Sequence, residues 1–362
     1  MNSKIDFTLS LCQYLKPEEE IINDLIKDGL DYPYILGQLL FNRVGGAAYY
    51  TLDKLSLLGK TNREFKNTLK TVYDANIIKT ESFKISLDYL SEIFKDVDFK
   101  YALLKGSYLV NLYPIGLRTS NDIDILLNFE DSTSVSMILT ENGFIQGNVR
   151  NDELLRATRT EIISSQINRG ETVPFVKEIN LPHMRFLEID VNFSLDFKPE
   201  QNKSIVGKLL ENAVPDIKTA GGALYTLSTA DFLIQLCVHL YKEASVYNWV
   251  EFGRDQGLYK YLDIYLFILM FPDTIVSASL AGKIKAFEIG KECFYALSGA
   301  RELFPSCNTS ELNTLLNAIR PQETEYLNEI TSPADSKTYK YDVGFKDWVF
   351  SGKRKKLLHK VN

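Results

Sequence analysis

A chain that sets two acids on one face of a short apolar strand must also supply something to offset their charge. Residues 101–127, YALLKGSYLVNLYPIGLRTSNDIDILL, impose that demand here. Tyr101 to Leu104 form an apolar run ending in Lys105-Gly106-Ser107, after which Tyr108, Leu109 and Leu112 recur at helical spacing, so the segment predicts strand, turn and helix. Gly106 lets a ligand approach the backbone, Ser107 suits an N-cap, and the first N–H groups of a helix favour an anion. Asp122-Ile123-Asp124-Ile125-Leu126-Leu127 then begins by alternating polar with apolar, which puts both carboxylates on one face of a strand and Ile123, Ile125 and Leu127 on the other.

Two carboxylates about 6.6 Å apart along a strand repel by roughly 2.5 kcal/mol at an effective dielectric of about 20. A divalent cation reverses the sign of that interaction. Mg²⁺ fits best, because it takes one or two protein carboxylates and completes its shell with water and phosphate oxygens; Mn²⁺ is the substitute. A bare D-x-D also suits a solvated strand face, and the glycine turn upstream is what favours the metal reading. A third acid comes from residues 186–193, where Leu187, Ile189, Val191 and Phe193 alternate with Glu188, Asp190 and Asn192. Asp190 joins Asp122 and Asp124 if the two strands are neighbours.

Gly106-Ser107, Asp122-x-Asp124 and a lone acid on a later strand resemble the nucleotidyltransferase superfamily of the DNA polymerase β type, with its hG[GS], DhDh and third carboxylate. The finer string LLKGSYL, LYP and LRTSNDIDILL is similar to the branch described as uncharacterised nucleotidyltransferases. So are the stretches NRVGGAAYYTL before the core and FLIQLCVHLYKEA after it. Members of that branch often read IDLHWRL around the third acid. Here the string is Ile189-Asp190-Val191-Asn192-Phe193-Ser194-Leu195, which keeps the acid and lacks the histidine and arginine.

The resemblance implies an α+β fold, with a small mixed sheet and helices flanked by N- and C-terminal helical regions. The segments would be a helical region over 1–95, a catalytic core over 96–204 and a helical domain over 205–362. It further implies a nucleoside triphosphate substrate, catalytic and metal-holding Asp122, Asp124 and Asp190, and nucleotide contacts from Lys105, Gly106, Ser107, Arg118 and Ser120. Lys105 and Arg118 are candidate phosphate partners, or else structural groups, Lys105 turned from the site and Arg118 bracing the loop against Asp122.

With 362 residues, 45% of them hydrophobic, the chain is long enough for two or three domains. A net charge of −6 argues against a protein that coats nucleic acid, so a small molecule, a peptide or a protein is favoured over RNA as acceptor. Cys12, Cys237, Cys293 and Cys307 form no C-x-x-C pair and read as reduced thiols in a cytoplasm. The longest apolar run, residues 265–271, is too short to span a bilayer, and neither a signal peptide nor an anchor is visible.

Elsewhere the chain reads as helical scaffold. Pro17 and Glu18 to Glu20 open one helix, residues 64–95 give long amphipathic periodicity, and residues 132–142 form a helix stopped by Gly143. Residues 148–169 are polar, and Arg150, Arg156, Arg159 and Arg169 read as solvated surface or as a frame for an anion. His239 and Glu243 share a face of the helix after Thr229, where a buried, hydrogen-bonded histidine is favoured over a zinc ligand; Lys260 and Asp263 resemble positions that hold nucleotide or acceptor in related transferases. The run Lys353-Arg354-Lys355-Lys356 to Lys360 contains no acid and reads as a solubilising end. The rival to an enzyme is a catalytically inactive nucleotide- or partner-binding protein on the same fold, for which a full set of three acids has no use.

Overall fold

The computed structural model describes residues 3–195, 203–333 and 335–361. Packing divides the chain into two units, residues 74–235 and residues 1–73 together with 236–362. The helices before residue 74 and those after residue 235 therefore build one unit rather than two separate regions.

The 74–235 unit is organised by a mixed eight-stranded sheet. Its strands are β1 (Tyr101–Leu103), β2 (Asp122–Leu127), β3 (Ile145–Arg150), β4 (Glu153–Arg156), β5 (Phe175–Leu181), β6 (Met184–Asn192), β7 (Val214–Thr219) and β8 (Gly222–Thr226), in the order β4-β3-β5-β6-β2-β1-β8-β7. The central pair β2 and β6 is parallel, and β1 runs antiparallel to β2. Period-2 patterning explains why these two strands hold the middle: Ile123, Ile125, Leu127, Leu187, Ile189 and Val191 are all fully buried.

Hairpins extend the sheet at both edges. β3 and β4 turn through Asn151 and Asp152, whose positive φ angles of 51° and 61° match the tight turns that hairpins favour. β7 and β8 turn through Ala220-Gly221, so the stretch after residue 205, expected to be helical, adds an edge hairpin to the sheet. Between β4 and β5 the polar segment holds an unexpected helix, Arg159–Arg169, set by a capping box of Thr158 and Glu161 and stopped by Gly170 at φ 64°. Arg150, Arg156, Arg159 and Arg169 are all exposed, as a solvated surface requires.

The periodicity over 64–95 resolves into one 31-residue helix, Arg63–Ile93, about 46 Å long. Beyond residue 73 it buries Phe83, Leu87 and Leu90 in the sheet unit. Its polar side chains hold the loop before β2: Asn76 Nδ2 donates to the Gly116 carbonyl at 3.0 Å and Thr80 Oγ1 to the Arg118 carbonyl at 3.3 Å.

The other unit is helical, with a small sheet of β9 (Glu329–Ser332), β10 (Lys337–Lys340) and β11 (His359–Lys360). The four cysteines are unpaired and buried, and among the described residues no helix is long and apolar enough to cross a membrane. The basic tail is not simply a solvated end. Arg354 is buried, pairs with the fully buried Asp255 at 2.9 Å, and donates to the carbonyl oxygens of Val349 and Ser351. One residue of the charge run thus turns inward to neutralise a carboxylate, while Lys353, Lys355 and Lys356 stay exposed. Arg354→Met should cost about 3–5 kcal/mol by stranding Asp255, whereas Lys355→Ala, which loses only an exposed pair with Glu251, should stay within about 0.5 kcal/mol; urea unfolding midpoints of the two variants check this.

Candidate active site

Strand pairing brings the acids together. In the β2–β6 register Asp122 faces Glu188, Asp124 faces Asp190, and Leu126 faces Asn192. Because neighbouring strands lie about 4.8 Å apart, the four carboxyl groups crowd one patch of one sheet face.

The turn after β1 closes over this patch. The Leu104 N–H donates to the main-chain carbonyl of Asp124 at 2.9 Å, which fixes the end of β1 beside the acid. Lys105 follows at φ 45° and ψ −121°, a conformation that glycine adopts freely and that costs another residue about 1–3 kcal/mol. From there its Nζ reaches Asp124 Oδ1 at 2.6 Å. Of the two alternatives open for Lys105, the structure turns its side chain towards the acids. The helix Gly106–Leu112 starts here with Lys105 as its N-cap residue, so Ser107 is not the cap. Ser107 lies inside the first turn, its N–H bonded to the Leu104 carbonyl at 3.2 Å, and its buried hydroxyl has no hydrogen-bond partner among the described residues.

Gly106 and Ser120 interlock. A Cβ on Gly106 would fall 2.2 Å from Ser120 Oγ. That hydroxyl lies 3.2 Å from Asp122 Oδ1, to which it donates, and 3.2 Å from the Asp122 carbonyl. The glycine is thus required by the serine that orients the first acid. Arg118, two residues before Ser120, donates from Nη1 to the Thr119 carbonyl.

The family model described as uncharacterised nucleotidyltransferase matches residues 29–305. The chain belongs to that family. Comparison with curated proteins finds no match. The match spans the Gly106 turn and all four acids, and it ends before Arg354.

Electrostatics set this acid patch apart from an ordinary sheet face. Burial pushes the Asp190 carboxyl well above the usual carboxylate range, and Asp124 and Asp122 push it further. Asp124 is raised by burial too, against the lowering pull of Lys105 and with Asp122 and Glu171 adding to the rise. Glu188 is raised by burial and then by Asp122. Glu171 is the contributor that sequence reading missed. It pairs with Arg169 and reaches the patch because its backbone bridges Asn192 at the end of β6. No local pattern marks it, since its place depends on how residues 170–172 meet β6.

The donor set is all hard oxygen, which suits Mg²⁺ or Mn²⁺. Among the described residues no trio of His, Cys, Asp or Glu side chains meets the geometry of a metal site; the positive charge at Asp124 is the Lys105 ammonium. In the other unit, Lys260 is buried, ion-paired with Glu243, and donates to the Arg254 carbonyl at 3.0 Å. His239 Nε2 lies 3.6 Å from Glu243, and the imidazole is half-buried rather than fully enclosed. Asp263 is buried on the same helix as Lys260, Leu258–Met270.

Two predictions follow from the packing and charge of the site. Asp190 has a folded pKa above its ordinary value of 3.8, so its stabilising contribution is full below that value and is lost as pH rises through the folded pKa. Asp190→Asn should therefore unfold at a higher temperature than the native chain near pH 8, by a few degrees, with a smaller gap near pH 4. Gly106→Ala should cost about 1–3 kcal/mol through the clash with Ser120. Ser120→Gly in the same chain should recover most of that loss, which a double-mutant cycle in urea would measure.

Proposed function

We propose that this protein transfers a nucleoside monophosphate from a nucleoside triphosphate to an acceptor hydroxyl and releases pyrophosphate. The acceptor would be a small molecule, a peptide or a protein in preference to RNA, given the net charge of −6. The observation that carries this reading is the register of β2 and β6, which stacks Asp124 on Asp190 with Asp122 next on the same face and the Gly106 turn closed over them.

The acceptor oxygen attacks the α phosphorus, the bond from that phosphorus to the bridging oxygen breaks, and the hydroxyl proton passes to Asp190, the acid that the strand register sets across from Asp124. Mg²⁺ or Mn²⁺ held by Asp122, Asp124 and Asp190 would supply the positive charge that polarises the phosphate and makes the hydroxyl more acidic. Lys105 and Arg118 carry cationic charge for the triphosphate, and the Ser107 hydroxyl has a hydrogen bond to give. Ser120 keeps Asp122 aimed. Water exclusion is helped by the turn itself, since Gly106 and Ser107 are buried.

Thermal unfolding against each of the four ribonucleoside triphosphates, with and without Mg²⁺, names the base. A ligand at about a hundred times its dissociation constant adds about 2.7 kcal/mol, a shift of a few degrees in a chain of this size. The expected shift needs both Mg²⁺ and Asp124, and is absent in Asp124→Asn. With that triphosphate labelled at the α phosphate, pooled small molecules and peptides should become labelled, about 10²-fold less or lower with Asp122→Asn, Asp124→Asn or Asp190→Asn. Label transfer undiminished in these variants would remove the three acids from the mechanism, and no triphosphate shift at all would favour an inactive partner-binding protein.

A further inference from the structure

The turn that holds Lys105 is built around its side chain. A residue at φ 45° and ψ −121° is ordinarily glycine, and the next residue in this chain is a glycine. A lysine kept in the strained position has a side chain worth the strain. That side chain reaches the acids through Nζ, 2.6 Å from Asp124 Oδ1, and the two side chains differ sharply in exposure, 25% for the lysine and 6% for the aspartate. The ammonium therefore approaches from the solvent side, the direction from which a cation would enter. Four further carboxylates surround the contact: Asp122, Glu188 and Asp190 on the two strands and Glu171 beside them.

We propose that Lys105 is a built-in stand-in for the divalent cation: its ammonium neutralises Asp124 while the cation is away and gives the carboxylate up when the cation arrives. The inference rests on the proposed reading of Asp122, Asp124 and Asp190 as metal ligands and goes beyond it, because it assigns Lys105 a competing place in the same site. An ammonium and a divalent cation cannot both take Asp124 Oδ1 at bonding distance, so binding one expels the other. Once expelled, Lys105 stands at the solvent edge of the acids, where a triphosphate accompanying the cation would offer it oxygens in exchange. The exchange keeps buried carboxylates paired at every stage, which lone acids at this depth require. It also makes the cation and the triphosphate cooperative without any movement of the sheet.

Mn²⁺ binding by the full chain, followed from the spin-resonance signal of the free ion, tests this. Lys105→Met removes the competitor and keeps the strained backbone; Lys105→Gly removes the competitor and the strain together, so a folding defect in the first does not obscure the second. Both should bind Mn²⁺ about tenfold tighter than the native chain, and Asp190→Asn should bind it weakly. As a second readout, acylation of the Lys105 amine, measured by mass spectrometry of its peptide, should speed up severalfold when Mn²⁺ saturates the native chain, and should not change in Asp190→Asn at the same concentration. If Mn²⁺ binds the native chain through Asp190 but neither lysine variant binds tighter, or Lys105 acylation is unmoved by Mn²⁺, the stand-in is wrong and the metal site stands. If none of the chains binds Mn²⁺, both fail together.

Discussion

Three aspartates on two adjacent strands, Asp124 buried and Asp122 and Asp190 partly so, cannot share one sheet face without an opposing charge. Asp124 and Asp190 sit directly across from each other, and both have raised proton affinity because burial, and then the charge of neighbouring acids such as Asp122, favours the neutral form. Hydrophobic patterning forces this arrangement. Ile123, Ile125, Ile189 and Val191 must face the core, and period-2 geometry then turns the acids to the opposite side. Such a cost at the centre of the larger sheet marks a candidate functional site in a chain that belongs to a nucleotidyltransferase family.

Everything around the patch manages that charge. Lys105 opposes Asp124, Ser120 orients Asp122, and Gly106 makes room for Ser120, so residues 105–107 and 120–124 form one interlocked piece. The long helix Arg63–Ile93 fixes the intervening loop through Asn76 and Thr80. The second unit solves a simpler version of the same problem, where Asp255 is buried with Arg354 and the pair is surrounded by main-chain carbonyls. There the partner is an arginine with five fixed donors and no exposed path. At the acid patch it is a lysine that is about a quarter exposed, a group better suited to leaving.

Sequence periodicity made the heart of the site legible. Strand, turn and helix after Tyr101, the strand from Asp122 and the alternation around Asp190 all lie where period 2 and period 3.6 put them, and the helix Leu258–Met270 has the boundaries its apolar run suggests. Features that depend on three-dimensional neighbours were hidden. Ser107 looked like a cap, yet Lys105 holds the N-cap position without a side-chain cap bond, because a positive φ on a lysine leaves no mark in the residue string. Glu171 acts on the acids through a bridge that only the folded register reveals. The helix Arg159–Arg169 buries Ser165 and leaves Ile163 and Ile167 exposed, so its apolar periodicity was too thin to read. Arg354 was lost in a run of like charges, where averaging conceals the single residue that turns inward.

The most direct measurement is anomalous diffraction from crystals grown with Mn²⁺ and a non-hydrolysable triphosphate. Manganese is expected at the carboxylates of Asp122, Asp124 and Asp190, with the triphosphate beside the Gly106-Ser107 turn. Manganese bound away from these acids, or a triphosphate seated elsewhere while they remain free of metal, would contradict the assignment of this sheet face as the catalytic site.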